Sequence, residues 1–122
     1  MRYLCMAYEE ENTLNALSKT EWDSLRNETL MYLEGLQKEG HIIAAEALQS
    51  VRTSTTVRVR GGKVSITDGP FAETKEQLGG FFFINAADLN EAIRIASMWP
   101  SARIGSIEVR PIESELWEDG RY

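Results

Sequence analysis

The sequence predicts one α+β domain with an antiparallel sheet that two helices cover on one face. The chain has 122 residues, which is enough for one domain and one core. Its composition, 43% hydrophobic and 26% charged, is that of a globular chain rather than a disordered one. Short apolar segments and amphipathic segments follow one another in the order strand, helix, strand, hairpin, strand, helix, strand.

The first half begins with a strand and an amphipathic helix. Residues Arg2–Tyr8 are apolar and aromatic and end at an acidic run, which indicates a buried strand. Thr20, with Asp23 three residues later, is the expected N-cap of the helix. Gly40 is expected to end this helix in the left-handed conformation. Its inward face is expected to consist of Trp22, Leu25, Thr29, Leu33 and Leu36.

The segment from Ile42 to Leu48 is compatible with two structures. Its three alanines favour a helix by propensity, whereas Gly40 and the β-branched pair Ile42-Ile43 favour a strand. We predict a strand.

Thr55–Thr67 predicts a β-hairpin around Gly61-Gly62. A two-residue turn at this pair places Val57, Val59, Val64 and Ile66 on one face, which we expect to be buried. Arg58, Arg60 and Lys63 then form a basic face on the other side.

The second half adds a turn, a strand, a helix and a last strand. Asp68-Gly69-Pro70 is a turn, and Phe71–Leu78 is either a short helical turn or an ordered loop. Phe81–Ile84 shows no alternation and is predicted to be a strand that is buried on both faces. Asp88 is the expected N-cap of the second helix, which ends before Pro100, and Gly105–Arg110 is the last strand. The expected inward residues of this helix are Leu89, Ala92, Ile93 and Ala96.

Two β-α-β halves in this order predict a ferredoxin-like antiparallel sheet with an inserted β-hairpin. Both helices then lie on one face, and the other face is apolar and uncovered. Such a face favours pairing with a second sheet, so a homodimer is expected. Leu116 and Trp117, near the end of the chain, are expected to dock on a neighbour or on a second subunit.

Composition excludes several classes of function. A net charge of −6 argues against a nucleic-acid-binding protein. With one Cys and one His, the chain can form neither an internal disulfide nor a zinc site of these ligands, and no metal or cofactor is expected. Cys5 lies in an apolar run and is expected to be a small buried residue. The sequence shows neither a signal peptide nor a membrane-spanning run, so a cytoplasmic location without membrane partners is expected.

The run TDGPFAETKEQLGG, residues Thr67–Gly80, resembles the signature of DGPF-domain proteins within the YCII-related group. Glu46–Gln49, Thr56–Arg58 and Glu108–Pro111 support the resemblance, which covers the chain from Met1 to about Ile112. It implies a ferredoxin-like fold assembled as a dimeric α+β barrel, with a cleft at the sheet, in bacterial intracellular proteins. The superfamily includes small cofactor-free isomerases, which implies an enzyme by analogy. DGPF proteins are often encoded near extracytoplasmic-function sigma factors, which implies a regulatory role as an alternative.

The sequence departs from this group at one point. Many YCII-type relatives are thought to use a His on the first helix with an Asp near the end of the second helix. The corresponding positions here fall near Thr29 and Trp99. The resemblance therefore conveys no such dyad, and any activity must come from the DGPF segment.

Five residues are candidates for a site. Asp68 either caps its turn or acts as a general base held beside a cleft. His41 either caps the preceding helix or transfers protons with Asp68. Glu73 and Lys75 are either solvated loop charges or part of a lid over the cleft, and Arg58 is either solvated or binds an anion in a bidentate manner.

Two functions follow from these candidates. One is a cofactor-free enzyme that acts by proton transfer on a small anionic metabolite. The other is a non-catalytic ligand-sensing or regulatory protein-binding module linked to sigma-factor regulation.

Overall fold

A computed structural model describes residues 1–114 and confirms the predicted α+β, ferredoxin-like fold. Four antiparallel strands form the main sheet in the order β2-β5-β1-β6, and β3 and β4 form a separate two-stranded sheet. The strands are β1 (Arg2–Glu9), β2 (Ile42–Ala47), β3 (Thr55–Arg60), β4 (Lys63–Asp68), β5 (Gln77–Asn85) and β6 (Ser106–Pro111). The helices are α1 (Glu11–Asn15), α2 (Lys19–Lys38) and α3 (Leu89–Ser97), with 3-10 turns at Val51–Thr53 and Pro100–Arg103.

The core lies between one face of the main sheet and helices α2 and α3. Phe82 on β5 is fully buried, and the ring of Trp99 stacks on it with 3.9 Å between centroids. Tyr32 of α2 meets Trp99 edge-on and donates its hydroxyl to the carbonyl of Ile95 on α3 at 2.7 Å. This contact joins the two helices over the sheet. Each large apolar side chain buried here stabilises the fold by roughly 1.5–3 kcal/mol.

The opposite face of the main sheet is open. Leu4 and Met6 of β1 and Phe81 and Phe83 of β5 lie on it and are half-buried, and their strands pair them side by side. The predicted burial of Phe81–Ile84 on both faces is therefore wrong for a single chain. Burial alternates along the strand because α2 and α3 both pack on the side of Phe82. We call these four residues and their surroundings the open sheet face.

The N-cap of helix α2 is Ser18, two residues before the predicted N-cap Thr20. Ser18 accepts a hydrogen bond from the backbone N–H of Glu21 at 3.1 Å, and the Glu21 carboxylate accepts one from the Ser18 N–H at 3.1 Å. Thr20 and Asp23 have the same spacing but lie inside the helix, where Asp23 pairs with Lys19 instead. Ser18 with Glu21 matches the capping-box pattern, Ser or Thr followed three residues later by Glu or Gln, whereas Thr20 with Asp23 is only a variant of it.

The inward face of each long helix differs in part from its prediction. Leu36 of α2 is buried, but Trp22 is 45% exposed because it lies in the first turns, beyond the edge of the core. On α3 the buried residues are Ala92, Ile95 and Ala96, whereas Leu89 and Ile93 are about half exposed. Two apolar stripes with helical spacing overlap on α3, and the sequence pattern alone does not choose between them.

Several local predictions are confirmed. Gly40 has φ +78° after α2, and Ile42–Ala47 is a strand. Of the segment Phe71–Leu78, residues 71–76 form a loop, whereas Gln77 and Leu78 already belong to β5. Asp88 caps α3 by accepting from the Glu91 N–H at 2.9 Å, and the last strand covers Ser106–Pro111. Leu116 and Trp117 lie outside the described residues.

The hairpin has the predicted register, but its apolar face is not buried as predicted. Val57 pairs with Ile66 and Val59 with Val64, around a turn in which Gly61 and Gly62 both have positive φ. The prediction that its apolar face is buried is wrong within a single chain, since these four side chains are 58–68% exposed. The sequence pattern predicts a face, but here no part of the same chain covers it.

Cys5 is fully buried, as predicted. Burial raises the pKa of its thiol to about 12, so the thiol stays protonated and unreactive at neutral pH. No helix within residues 1–114 combines the length and the apolar character that a membrane span requires.

Candidate functional site

An open cleft of about 490 Å³ lies beside the loop that carries the DGPF motif. One wall is this loop, from Gly69 and Pro70 through Glu73 and Lys75 to Gln77. The facing residues come from the start of α1 and from the 3-10 turn that follows β2, and include Glu10, Glu11 and Arg52. Three segments that are distant in sequence therefore meet at one end of the sheet.

A hydrogen-bond network centred on Gln77 and Glu11 holds these segments together. The Gln77 side chain accepts from the Glu11 N–H at 2.9 Å and donates to the carbonyl of Thr74 at 2.6 Å. The Glu11 carboxylate accepts from the N–H of Val51 at 3.0 Å and from the hydroxyl of Ser50 at 3.2 Å. Backbone groups on all three segments are thus satisfied by two side chains, which fix the positions of the cleft walls.

Glu73 and Lys75 both line the cleft. Each is exposed, and neither forms an ion pair with another residue among 1–114. The acid and the base of the predicted lid are therefore close to the cleft and available to a ligand.

Arg58 contacts the same loop from behind the cleft. Its guanidinium lies 5.8 Å from the centre of the Phe71 ring, and the hydroxyl of neighbouring Thr56 donates to the carbonyl of Gly69 at 2.8 Å. Arg58 is not one of the residues that line the cleft. In this structure it supports the loop through a cation–π contact.

Asp68 lies at the end of β4, opposite Thr55, and is exposed. Side chains alternate along a strand, so Asp68 shares its hairpin face with Val57 and Ile66, while Arg58 points to the other face. Asp68 also does not line the cleft, although Gly69 does. Within one chain, the structure does not bring Asp68 and Arg58 together.

His41 lies at the other end of the sheet. Its Nδ1 donates to the carbonyl of Asn85 at 2.9 Å, and its ring nitrogens lie 3.6 Å from a Glu39 oxygen and 3.8 Å from a Glu91 oxygen. Asn85 ends β5 and Gln77 begins it, so roughly 25 Å of strand separates His41 from the cleft. Within one chain His41 does not act together with Asp68; it joins β2, β5 and α3.

Cations without a carboxylate partner are concentrated in the hairpin and in the segments next to it in sequence. Away from it, Lys19, Lys38, Arg103 and Arg110 each lie within 3.2 Å of an Asp or Glu oxygen. Within residues 1–114 the cations that lack such a partner are Arg2, Arg52, Arg58, Arg60, Lys63 and Lys75. All but Arg2 belong to the hairpin and the segments next to it. Of these cations, only Arg52 and Lys75 line the cleft, whose lining also includes Glu10, Glu11 and Glu73.

Glu9 is a buried carboxyl group that the sequence analysis treated only as part of an acidic run. It is 9% exposed, and burial, together with the charge of Glu76, raises its pKa above the usual range. The Ser101 hydroxyl has a smaller, opposite effect on this pKa, although its oxygen makes no hydrogen bond of ordinary geometry within residues 1–114. The alternation Tyr3, Cys5, Ala7, Glu9 on β1 already places Glu9 on the core face and could have identified it.

Glu11 and Gln77 were also missed as site residues, for a different reason. Their contacts join positions 66 and 40 residues apart, and no local pattern in the sequence predicts such partners. Thr29 and Trp99, at the positions of the family's expected dyad, have structural roles. Thr29 donates to the carbonyl of Leu25 at 2.9 Å, and Trp99 packs in the core.

Comparison with known proteins identifies the family of this chain. The family model of the YCII-related domain matches residues 1–115. An uncharacterized protein of Rhizobium meliloti (strain 1021) is 34% identical over 114 residues, which is 92% of each chain. With a family model matched over nearly its whole length and a relative of similar length, this chain belongs to the YCII-related domain family.

Proposed function

We propose that the cleft binds a small anionic metabolite that carries a carboxylate or phosphate group. The observation that supports this proposal is the presence of Arg52 and Lys75, two cations without carboxylate partners among residues 1–114, on a cleft whose other charged residues are Glu10, Glu11 and Glu73. A guanidinium can bind two oxygens of the anion at once, and the ammonium adds a mobile charge. The volume of about 490 Å³ is that of a site for a small molecule.

We further propose that the protein acts on this metabolite by proton transfer and needs no cofactor. Glu73 lines the cleft beside Lys75 and can accept a proton from a carbon next to the bound anion. Arg52 and Lys75 would stabilise the negative charge that develops when the proton leaves. Asp68 remains a candidate for the same role only where a second chain brings it to a cleft.

Binding is tested by titrating a panel of small carboxylates and phosphates into the protein by calorimetry. Arg52→Gln with Lys75→Gln should weaken binding by about tenfold or more, because hydrogen bonds to charged groups contribute about 1.5–3 kcal/mol each. Lys38→Gln, which removes an exposed lysine on α2, is the matched control and should leave affinity unchanged. Equal affinity in all three proteins would contradict the proposal.

Proton transfer is tested by incubating each ligand found in this way with the protein in D₂O. Deuterium should enter the ligand with the native protein and should be lost with Glu73→Gln, while binding is retained. Asp68→Asn and His41→Gln, prepared in parallel, show whether either residue takes part. Binding without deuterium uptake by the native protein would reject catalysis and leave the binding proposal intact.

The alternative function is a non-catalytic ligand-sensing or regulatory protein-binding module linked to sigma-factor regulation. It is favoured by the separation of His41 from the cleft, and by Thr29 and Trp99 at the positions of the expected dyad. This alternative predicts that the anion binds tightly, with no chemical change in any ligand of the panel.

We also propose that the protein is a homodimer in which a second copy covers the open sheet face. The half-buried Leu4, Met6, Phe81 and Phe83 support this proposal, because apolar patches of this kind mark interaction surfaces. Sedimentation at micromolar concentration should give twice the mass of the chain, and a monomer would contradict the proposal. The cytoplasmic location stays a prediction from the sequence.

A further inference from the structure

Among the strands within residues 1–114, those of the hairpin carry the most exposed apolar side chains. Val57, Val59, Val64 and Ile66 lie side by side in two cross-strand pairs, and each is 58–68% exposed. β3 and β4 pair only with each other and form their own sheet. A two-stranded hairpin is marginally stable in water unless something packs on its apolar face.

We infer that this face docks on a second copy of the chain, so that each copy uses its hairpin as an arm and Asp68 lies at the subunit interface. The inference rests on the proposed homodimer and specifies which surface forms it. Asp68 belongs to it because it shares the apolar face with Val57 and Ile66.

The charge distribution favours a second copy as the occupant. The hairpin Thr55–Asp68 contains three of the 13 Lys and Arg residues but only one of the 19 Asp and Glu residues. The rest of the chain is therefore strongly acidic, and the arm of one copy is attracted to the body of another. Arg60 and Lys63, beside the turn at the tip, have no carboxylate partner among residues 1–114.

The open sheet face offers a complementary surface on that second copy. Cross-strand pairing places Phe81 and Met6 in one row, with Glu46 on β2 at one end and Glu108 on β6 at the other. The apolar side chains of this strip match the apolar face of the hairpin. Glu108 is already paired with Arg110 at 2.6 Å, and the hairpin cations lie on its other face, so charge adds only a long-range attraction between the basic arm and the acidic body. Every copy carries both surfaces. In a dimer with twofold symmetry, the hairpin of each copy therefore packs on the open sheet face of the other, and no surface is left for a third copy.

The test compares two neighbouring hairpin residues that point to opposite faces. Val64→Glu places a charge on the apolar face, and Ser65→Glu places the same charge on the basic face; both positions are exposed in the single chain, so both variants should fold. Sedimentation over a concentration series measures the dimer dissociation constant. We expect a dimer for the native chain at about 10 µM, at least about a tenfold weaker dimer for Val64→Glu, and little change for Ser65→Glu.

A second variant guards against local disruption of the hairpin by a single charge. Val57→Lys with Ile66→Glu replaces one apolar cross-strand pair with an ion pair that supports the hairpin, and it should weaken the dimer as Val64→Glu does. Circular dichroism checks the fold of each protein. If Val64→Glu and Ser65→Glu weaken the native dimer equally, or leave it unchanged, the proposed hairpin arm is wrong but the proposed homodimer stands. A native monomer at about 100 µM overturns both.

Discussion

In both the main sheet and the hairpin, successive side chains lie on opposite faces, but only the main sheet has one face covered by helices. On β5 the alternation separates Phe82, which is fully buried, from Phe81 and Phe83, which are half-buried. On the hairpin it separates Val57 and Val59 from Arg58 and Arg60, and yet the two valines are 58–61% exposed. Alternation therefore shows which residues share a face. Whether that face is covered depends on elements elsewhere in the chain or in a partner.

This difference predicts unequal costs for apolar substitutions. Phe82→Ala should lower the free energy of unfolding by about 3–5 kcal/mol, because it empties a buried site and removes the stacking partner of Trp99. Urea denaturation followed by tryptophan fluorescence measures the loss. A cost below about 1 kcal/mol would mean that the face under α2 and α3 is no better packed than the hairpin.

Two glycines, one in the main sheet and one on a helix, show how the space around a residue decides the effect of an added methyl group. A methyl group added at Gly80 on β5 would lie 2.8 Å from the carbonyl oxygen of Glu46 on β2, so Gly80→Ala should cost about 1–3 kcal/mol. Gly35 on α2 has open space around its Cα, and Gly35→Ala should stabilise the protein by about 0.5–1 kcal/mol. Thermal unfolding of the two variants should therefore move in opposite directions from the native value.

Glu9 tests how the main sheet accommodates a carboxyl group on its core face. Because its pKa is raised in the folded state, its protonated form stabilises the fold below about pH 4.5, and this contribution is lost as pH rises through the raised pKa. Glu9→Gln should therefore stabilise the protein at neutral pH, by on the order of 1 kcal/mol. Denaturation at a series of pH values should show the two proteins diverging as pH increases. A difference that stays constant with pH would remove Glu9 as its cause.

The smallest effect is expected on the hairpin itself. Val59→Thr keeps the branched side chain and its β-propensity, and at a site 58% exposed it should change the stability of the monomeric chain by less than about 0.5 kcal/mol. The measurement is urea denaturation at a protein concentration low enough to populate monomers. A cost of several kcal/mol under these conditions would show that the valine face is already covered within one chain.

Much of the fold could be predicted because its signals are local. The register of the hairpin follows from Gly61-Gly62, which supplies two residues of positive φ at the turn. Asp88 is the N-cap of α3 because its side chain reaches a backbone N–H three residues away. Predictions were wrong where two local patterns competed, as for Ser18 against Thr20, and for Ile95 against Ile93.

The candidate site was predicted only in part, because it is assembled from distant segments. Glu73 and Lys75 lie on the loop that carries the motif, and that loop lines the cleft. Arg52 and Gln77 complete the cleft through contacts that no periodicity encodes. His41, which has the side chain best suited to proton transfer at neutral pH, lies at the other end of β5. Residue chemistry can be read from the sequence, but distance between residues cannot.

The sequence by itself determined the element order, the strand register of the hairpin and the family, because propensity, turn chemistry and alternation act over a few residues. Only the tertiary structure decided which alternating face is buried, where the cleft forms and that Glu9 has a raised pKa. These depend on which surfaces meet. Burial and electrostatic environment are properties of the packed neighbours of a residue, and those neighbours come from anywhere along the chain.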